Sequence, residues 1–234
     1  MNTKYWNLSL TLIISFIVFV FFTLIQSTVL LLLKPENLEF TPTGYENLAY
    51  SNLGIISSIS SLFGVVAILF FIYFKKVSII DYLNLYMPKL KTTILFIFLS
   101  FFTMFFMEML SRDYPDLFDT NFVLDSYKAA NNLLVLYIGV VILGPIFEEF
   151  LFRGFLFKGL ENSFIGGHGA VFISATIFSL VHIQYGLPII LCMLFPMAVL
   201  LGYARLKSNS LLLPILIHTI NNLLTCLVTH FEVY

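Results

Sequence analysis

The sequence predicts an all-α fold: a polytopic transmembrane bundle of about seven or eight helices. Two observations carry this. Of 234 residues, 59% are apolar and only 11% are charged, a balance that cannot supply the solvated surface of a soluble domain. The apolar residues also gather into runs of about 20, the length that crosses a bilayer core about 30 Å thick, with clusters of Pro, Gly, Asn and Asp between them.

The first run, Asn7 to Leu33, is far longer than the apolar core of a signal peptide and lacks a small-residue cleavage site, so a retained helix is expected. "KPENLEFTPTGYEN" breaks the chain before the second run, Asn52 to Phe74. Between Lys75 and Lys91, the alternating apolar and polar residues of "SIIDYLNLYMPKLK" suggest a short interfacial helix. Thr92 to Leu110 is the third run, "YPDLFDTN" the next break, and Leu133 to Gly159 the fourth run. "SFIGGHG" separates it from Ile165 to Gln184, and Leu187 to Ala204 and Leu211 to Thr229 complete the set. These spans use most of the chain and leave no room for a soluble domain.

In a membrane the placement of lysine and arginine matters more than the net charge of −1. With the N-terminus cytoplasmic, nine of the 12 cations fall on or towards that side: Lys4, Lys75, Lys76, Lys89, Lys91, Arg153, Lys158, Arg205 and Lys207. Lys34, Arg112 and Lys128 fall opposite, among Glu36, Glu39, Glu46, Asp113, Asp116, Asp119 and Asp125. The expected orientation is N-terminus in and C-terminus out. Abundant Phe, Ile, Leu, Asn and Lys suits an AT-rich genome, and hence a bacterial plasma membrane. No basic stripe interleaved with aromatics is present, so nucleic acid is not an expected partner. Cys192 and Cys226 lie inside apolar runs without metal-like spacing and are read as small packing residues.

A charge at the centre of a transmembrane helix costs about 2.5–3.5 kcal/mol on insertion scales, yet "GPIFEEFLFRG", from Gly144 to Gly154, holds three within six residues. Glu149 and Arg153 are four apart, so on a helix they share a face and can pair. Glu148 points about 100° away and has no such partner on its own helix, which suits a proton-transferring group. "FSLVH" puts Phe178 and His182 one turn apart, and "HTINN" does the same for His218 and Asn222. Counted at about 1.5 Å per residue from the cytoplasmic helix ends, Glu148, His182, His218 and Asn222 all lie about 12–21 Å deep. Three helices therefore place a carboxylate, two imidazoles and a carboxamide in one layer. Other polar residues have simpler readings: Glu108 pairs with Arg112 at a helix end, Gln26 bonds between helices, and His168 and His230 are solvated at boundaries.

"EEFLFR", "FSLVH" and "HTINN" resemble, in order, the EExxxR, FxxxH and HxxxN motifs of the CPBP intramembrane proteases, the family of CAAX prenyl-protein endoproteases and bacteriocin-processing or immunity (Abi) proteins. The resemblance spans roughly Leu133 to Thr229. It implies a catalytic helical core over residues 133–234, preceded by N-terminal transmembrane helices and loops over residues 1–132. It further implies that Glu148 and His182 activate a water, that His218 and Asn222 bind that water or the developing oxyanion, and that Glu149 and Arg153 support the site. The expected substrate is a membrane-associated peptide or lipidated protein, reached from the bilayer or the cytoplasm.

Other readings stand beside this one. The motifs could be the inherited network of a non-catalytic bacteriocin-immunity or binding protein, or the buried carboxylate could couple protons in a transporter, although no paired repeats support the latter. No cofactor is favoured. Glu148, His182 and His218 could nevertheless supply a His2Glu zinc site with Glu149 as base, against which stand the absent HExxH spacing and the pairing of Glu149 with Arg153.

Overall fold

The computed structural model describes residues 4–36, 41–118 and 121–233, so Glu39 and Asp119 of the acidic loops lie outside the described residues. Among the described residues every regular element is helical. Helix α1 is Leu8–Leu32, started by Asn7, whose side-chain oxygen accepts from the Leu10 N–H at 2.9 Å. Then follow α2 (Pro42–Ser51), α3 (Leu53–Phe74), α4 (Ile79–Leu83), α5 (Leu90–Asp113) and α6 (Asn121–Ala129). Next come α7 (Leu133–Glu161), α8 (Gly166–Leu180), α9 (Leu187–Ser208) and α10 (Leu212–Val233). Six of these, α1, α3, α5, α7, α9 and α10, are long and apolar enough to cross a membrane; α8 is apolar but has only 15 residues. The protein is an integral membrane protein.

The runs expected from sequence match these helices to within a few residues, with three differences. Helix α2 forms inside a stretch expected only as a break, because Thr41 caps it and Pro42 has the backbone angle its first turn needs. A second short helix, α6, follows the "YPDLFDTN" break and packs on α2 and α10. Helix α8 ends at Leu180, not Gln184: the chain turns through a 3-10 segment, Ile183–Tyr185, to Gly186 at φ +82° and Pro188. The short loop helix is present as α4.

Helix α7 is the axis of the bundle. Leu151 to Leu160 are all buried, and α1, α3, α8, α9 and α10 pack around the helix. It is not a uniform α-helix: Ile138–Leu143 and Phe150–Leu156 are π-helical, as is Ile190–Leu194 in α9. Pro145 explains the first of these. It has no N–H, so the carbonyl of Val140, five residues earlier, loses its π-type donor and must find another. Asn222 of α10 supplies it, and Ser57 of α3 donates to Gly139 O at 3.1 Å.

Close packing at two glycines lets α3 meet α7. A Cβ on Gly54 would stand 2.5 Å from Leu136 N, and one on Gly139 would stand 2.5 Å from Gly54 O. Only hydrogen fits there, as at other close transmembrane crossings. At the lysine-rich end, Trp6 donates to Phe71 O at 3.3 Å and Asn84 O accepts from Leu211 N at 3.0 Å; at the acidic end, Asn131 N donates to Ser51 O at 2.9 Å. Helix α5 is the most exposed and presents Phe98, Phe102, Phe105 and Phe106 outward, as expected beside lipid.

Because the α3–α7 contact is backbone against backbone, no side chain can yield to an added methyl. Gly54→Ala should destabilise the protein by about 1–3 kcal/mol, read as a lower unfolding temperature in detergent, whereas Gly166→Ala, with no neighbour near its Cβ, should show only the cost of its positive φ.

Candidate active site

Adjacent positions on α7 send Glu148 and Glu149 in different directions. The Glu149 side chain is completely buried, while Glu148 is 25% exposed and reaches a cavity. Glu149 Oε1 accepts from Arg153 Nη1 at 3.0 Å and from His218 Nδ1 at 2.9 Å. Arg153, also fully buried, donates through Nη2 to Ala198 O at 3.1 Å and lies 4.5 Å over the Phe178 ring. Arg205 Nε in turn donates to Arg153 O at 3.1 Å. One charged cluster thus ties α7 to α8, α9 and α10. A lone buried charge would be very costly; here the carboxylate and guanidinium neutralise each other, with Glu149 Oε1 taking both bonds while Glu149 Oε2 and Arg153 Nε are buried without a hydrogen-bond partner.

The partners fix the imidazole tautomers. Glu149, paired with Arg153, accepts a hydrogen bond from His218 Nδ1–H, which leaves Nε2 to face the cavity, 3.7 Å from Glu148 Oε2. His182 sits in the turn after α8, where its Nδ1 lies 2.7 Å from Phe178 O. A carbonyl can only accept, so His182 also carries its proton on Nδ1 and has Nε2 available. That bond satisfies one of the last carbonyls of α8, whose regular partner is lost where the helix stops. Phe178 packs against both rings, at centroid distances of 4.7 Å to His182 and 5.9 Å to His218.

Glu148, His182, His218 and Asn222 all line one cavity of about 560 Å³. Asn222 is already engaged through Nδ2, which donates to Val140 O at 2.9 Å. Glu149 and Arg153 stand behind the wall and do not line it. Ser179 is buried and lies off the cavity. Among the described residues no group of three or more His, Cys, Asp or Glu side chains is arranged to hold a metal ion.

The remaining polar residues divide. Glu108 pairs with Arg112 at 2.9 Å on the surface, as expected. Asn221 accepts from Ser100 Oγ at 2.7 Å and joins α10 to α5. Gln26 lines the cavity, and His168 is exposed with Nδ1 3.1 Å from the Tyr203 hydroxyl. His230 departs from expectation: it is half-buried, 2.8 Å from the Tyr127 hydroxyl, because α6 folds back over the end of α10. Cys226 is buried in the cavity wall, whereas Cys192 is exposed and so is not the packing residue expected. Sequence reading missed Tyr185, which lines the cavity and stacks on His182 at 6.1 Å. Burial, and then the charge of Glu148, push its phenol above the ordinary value, so it remains a neutral hydroxyl. Its position three residues after His182 was the available signal.

Residues 130–224 match the Rce1-like family. Its model is described as type II CAAX prenyl endopeptidase Rce1-like, and the matched residues include all three motifs. This is the protease family that the motifs resemble. Also similar is an Escherichia coli protein named "Uncharacterized 24.3 kDa protein", 31% identical over 93 residues, which are 39% of this chain and 42% of that protein. The chain thus matches less than half the length of this relative. No solved structure matches.

The cluster within the Rce1-like segment predicts an asymmetry. Arg153→Ala strands Glu149 in a dry core and should cost about 3–5 kcal/mol, seen as a marked drop in unfolding temperature in detergent. A parent-like temperature would contradict the pairing.

Proposed function

We propose that the protein is an intramembrane endopeptidase that hydrolyses a peptide bond in a membrane-associated peptide or protein, a CAAX-type, pheromone or bacteriocin precursor. The observation that carries this is the meeting of Glu148 of α7, His182 of the turn after α8, and His218 and Asn222 of α10 on one cavity beside a fully buried Glu149–Arg153 pair. The Rce1-like match over residues 130–224 supports the same reading.

In this reading Glu148 and the free Nε2 of His182 take the proton of a water as it attacks the scissile carbonyl. The oxygen–carbon bond forms, a tetrahedral oxyanion develops, and the proton then passes to the leaving amine as the carbon–nitrogen bond breaks. His218 and Asn222 serve the oxyanion. Neutral His218 has only a lone pair on Nε2, so it binds the water as an acceptor. It becomes a donor to the oxyanion when the water's proton, taken up at Glu148, passes to its Nε2 3.7 Å away, before that proton goes on to the leaving amine. Asn222 has one amide hydrogen beyond the bond to Val140 O. Glu149, shared between Arg153 and His218, positions and does not act as base. The proposed route is glutamate-dependent, with no cofactor favoured.

Glu148→Gln and His182→Ala should each lower peptide hydrolysis by purified protein by two or more orders of magnitude, about the scale of lost general-base catalysis, while the protein still inserts and folds. Normal turnover by either variant would rule the mechanism out. Elemental analysis addresses the alternative: stoichiometric zinc, with activity lost on stripping and restored on return, would make Glu148, His182 and His218 ligands.

A further inference from the structure

The cavity has a direction. On α1 its lining begins at Phe19, near mid-helix, and continues to Gln26; on α3 it runs from Ser61 back to Leu53. On α7 it extends from Phe152 to Leu136, and on α10 from His218 to Cys226. Each of these helices contributes its middle, and α3 and α7 continue to the end where they meet. That end is where α6 and the Ile183–Tyr185 turn sit, and both line the cavity through Phe122, Ser126, Gln184 and Tyr185. Towards the other end the site is plugged. Beyond it, Arg153, Phe155, Phe157, Lys158, Tyr82 and Arg205 are all buried.

The two ends differ in charge. Among the described residues, Lys4, Lys75, Lys76, Lys89, Lys91 and Lys207 lie at the plugged end, whereas Lys34, Arg112 and Lys128 at the cavity end stand among Glu36, Glu46, Asp113, Asp116 and Asp125. Lysine and arginine in short loops mark the cytoplasmic side. We infer that the cavity opens to the extracytoplasmic face and receives its polypeptide from there, in place of the access from the bilayer or the cytoplasm expected from sequence. This rests on the proposed hydrolase reading for what is cleaved, but not for the side of entry.

The walls narrow the substrate further. Glu148 is the single Asp, Glu, Lys or Arg among the lining residues, and Phe19, Phe22, Phe122, Phe147 and Phe152 make up much of the surface. No cation is available to a free C-terminal carboxylate, whose desolvation would go uncompensated. The segment held across the scissile bond is therefore internal and uncharged, part of an exported peptide or of an extracytoplasmic stretch of a membrane protein.

The entry side can be read without turnover. In a Cys192→Ala, Cys226→Ala background, single cysteines are placed at Gln184, an exposed residue of the cavity wall, and at Lys76, beyond the plugged end. A membrane-impermeant maleimide should label Gln184→Cys severalfold faster in right-side-out vesicles than in inverted ones, and Lys76→Cys with the opposite preference. Labelling of Gln184→Cys from the cytoplasmic side, or only after detergent, would overturn the inference. Failure of the purified parent to hydrolyse peptides would count against the hydrolase reading and leave the labelling result to stand by itself.

Discussion

The fold turns on one buried charge cluster. Glu149 and Arg153 have no exposed side-chain surface, and neither would be tolerable alone in the middle of the bundle. Together they bond to His218, Ala198 O and each other, and Arg205 reaches the Arg153 carbonyl. The bond to His218 crosses to α10 and those of Ala198 and Arg205 cross to α9, so the cluster sets the relative placement of α7, α9 and α10. The guanidinium on the Phe178 ring brings in α8. Most of the bundle is held by apolar packing without directional preference; this cluster adds direction.

From that cluster the chemistry follows by short steps. Glu149 holds the Nδ1 proton of His218 and thereby presents Nε2 to the cavity. Because Glu149 faces the core, its neighbour Glu148 faces the cavity. Phe178 both supports Arg153 and, through its carbonyl, orients His182. The π-helical turn before Pro145 does the same for Asn222, since the carbonyl it frees at Val140 is what Asn222 grips. Irregular backbone in a membrane needs a partner from a neighbouring helix, and here that partner belongs to the site.

Much of this was legible in the sequence. The apolar runs gave helix ends to within a few residues, since length and hydropathy decide them in a bilayer. Spacing of four sufficed for Glu149 with Arg153 and for His182 with Phe178, both relations local to one helix or its end. What was not legible depended on distant contacts or on turn geometry. The second partner of Glu149 lies 69 residues away in His218. The π-helical stretches leave no periodic signature, and α2 and α6 were hidden because their Pro, Asn and Asp residues read equally as breaks. Tyr185 was overlooked for the same reason: it sits in a turn, where no periodicity points to a face.

The central claim is that Glu148 drives hydrolysis of membrane-associated polypeptide. It is tested most directly by comparing the membrane peptidomes of cells that differ only in carrying the parent or Glu148→Gln at equal abundance. The account predicts a set of peptides with new internal termini that is present with the parent and lost with the variant. Identical peptidomes would contradict it and return the cavity to the role of a binding site.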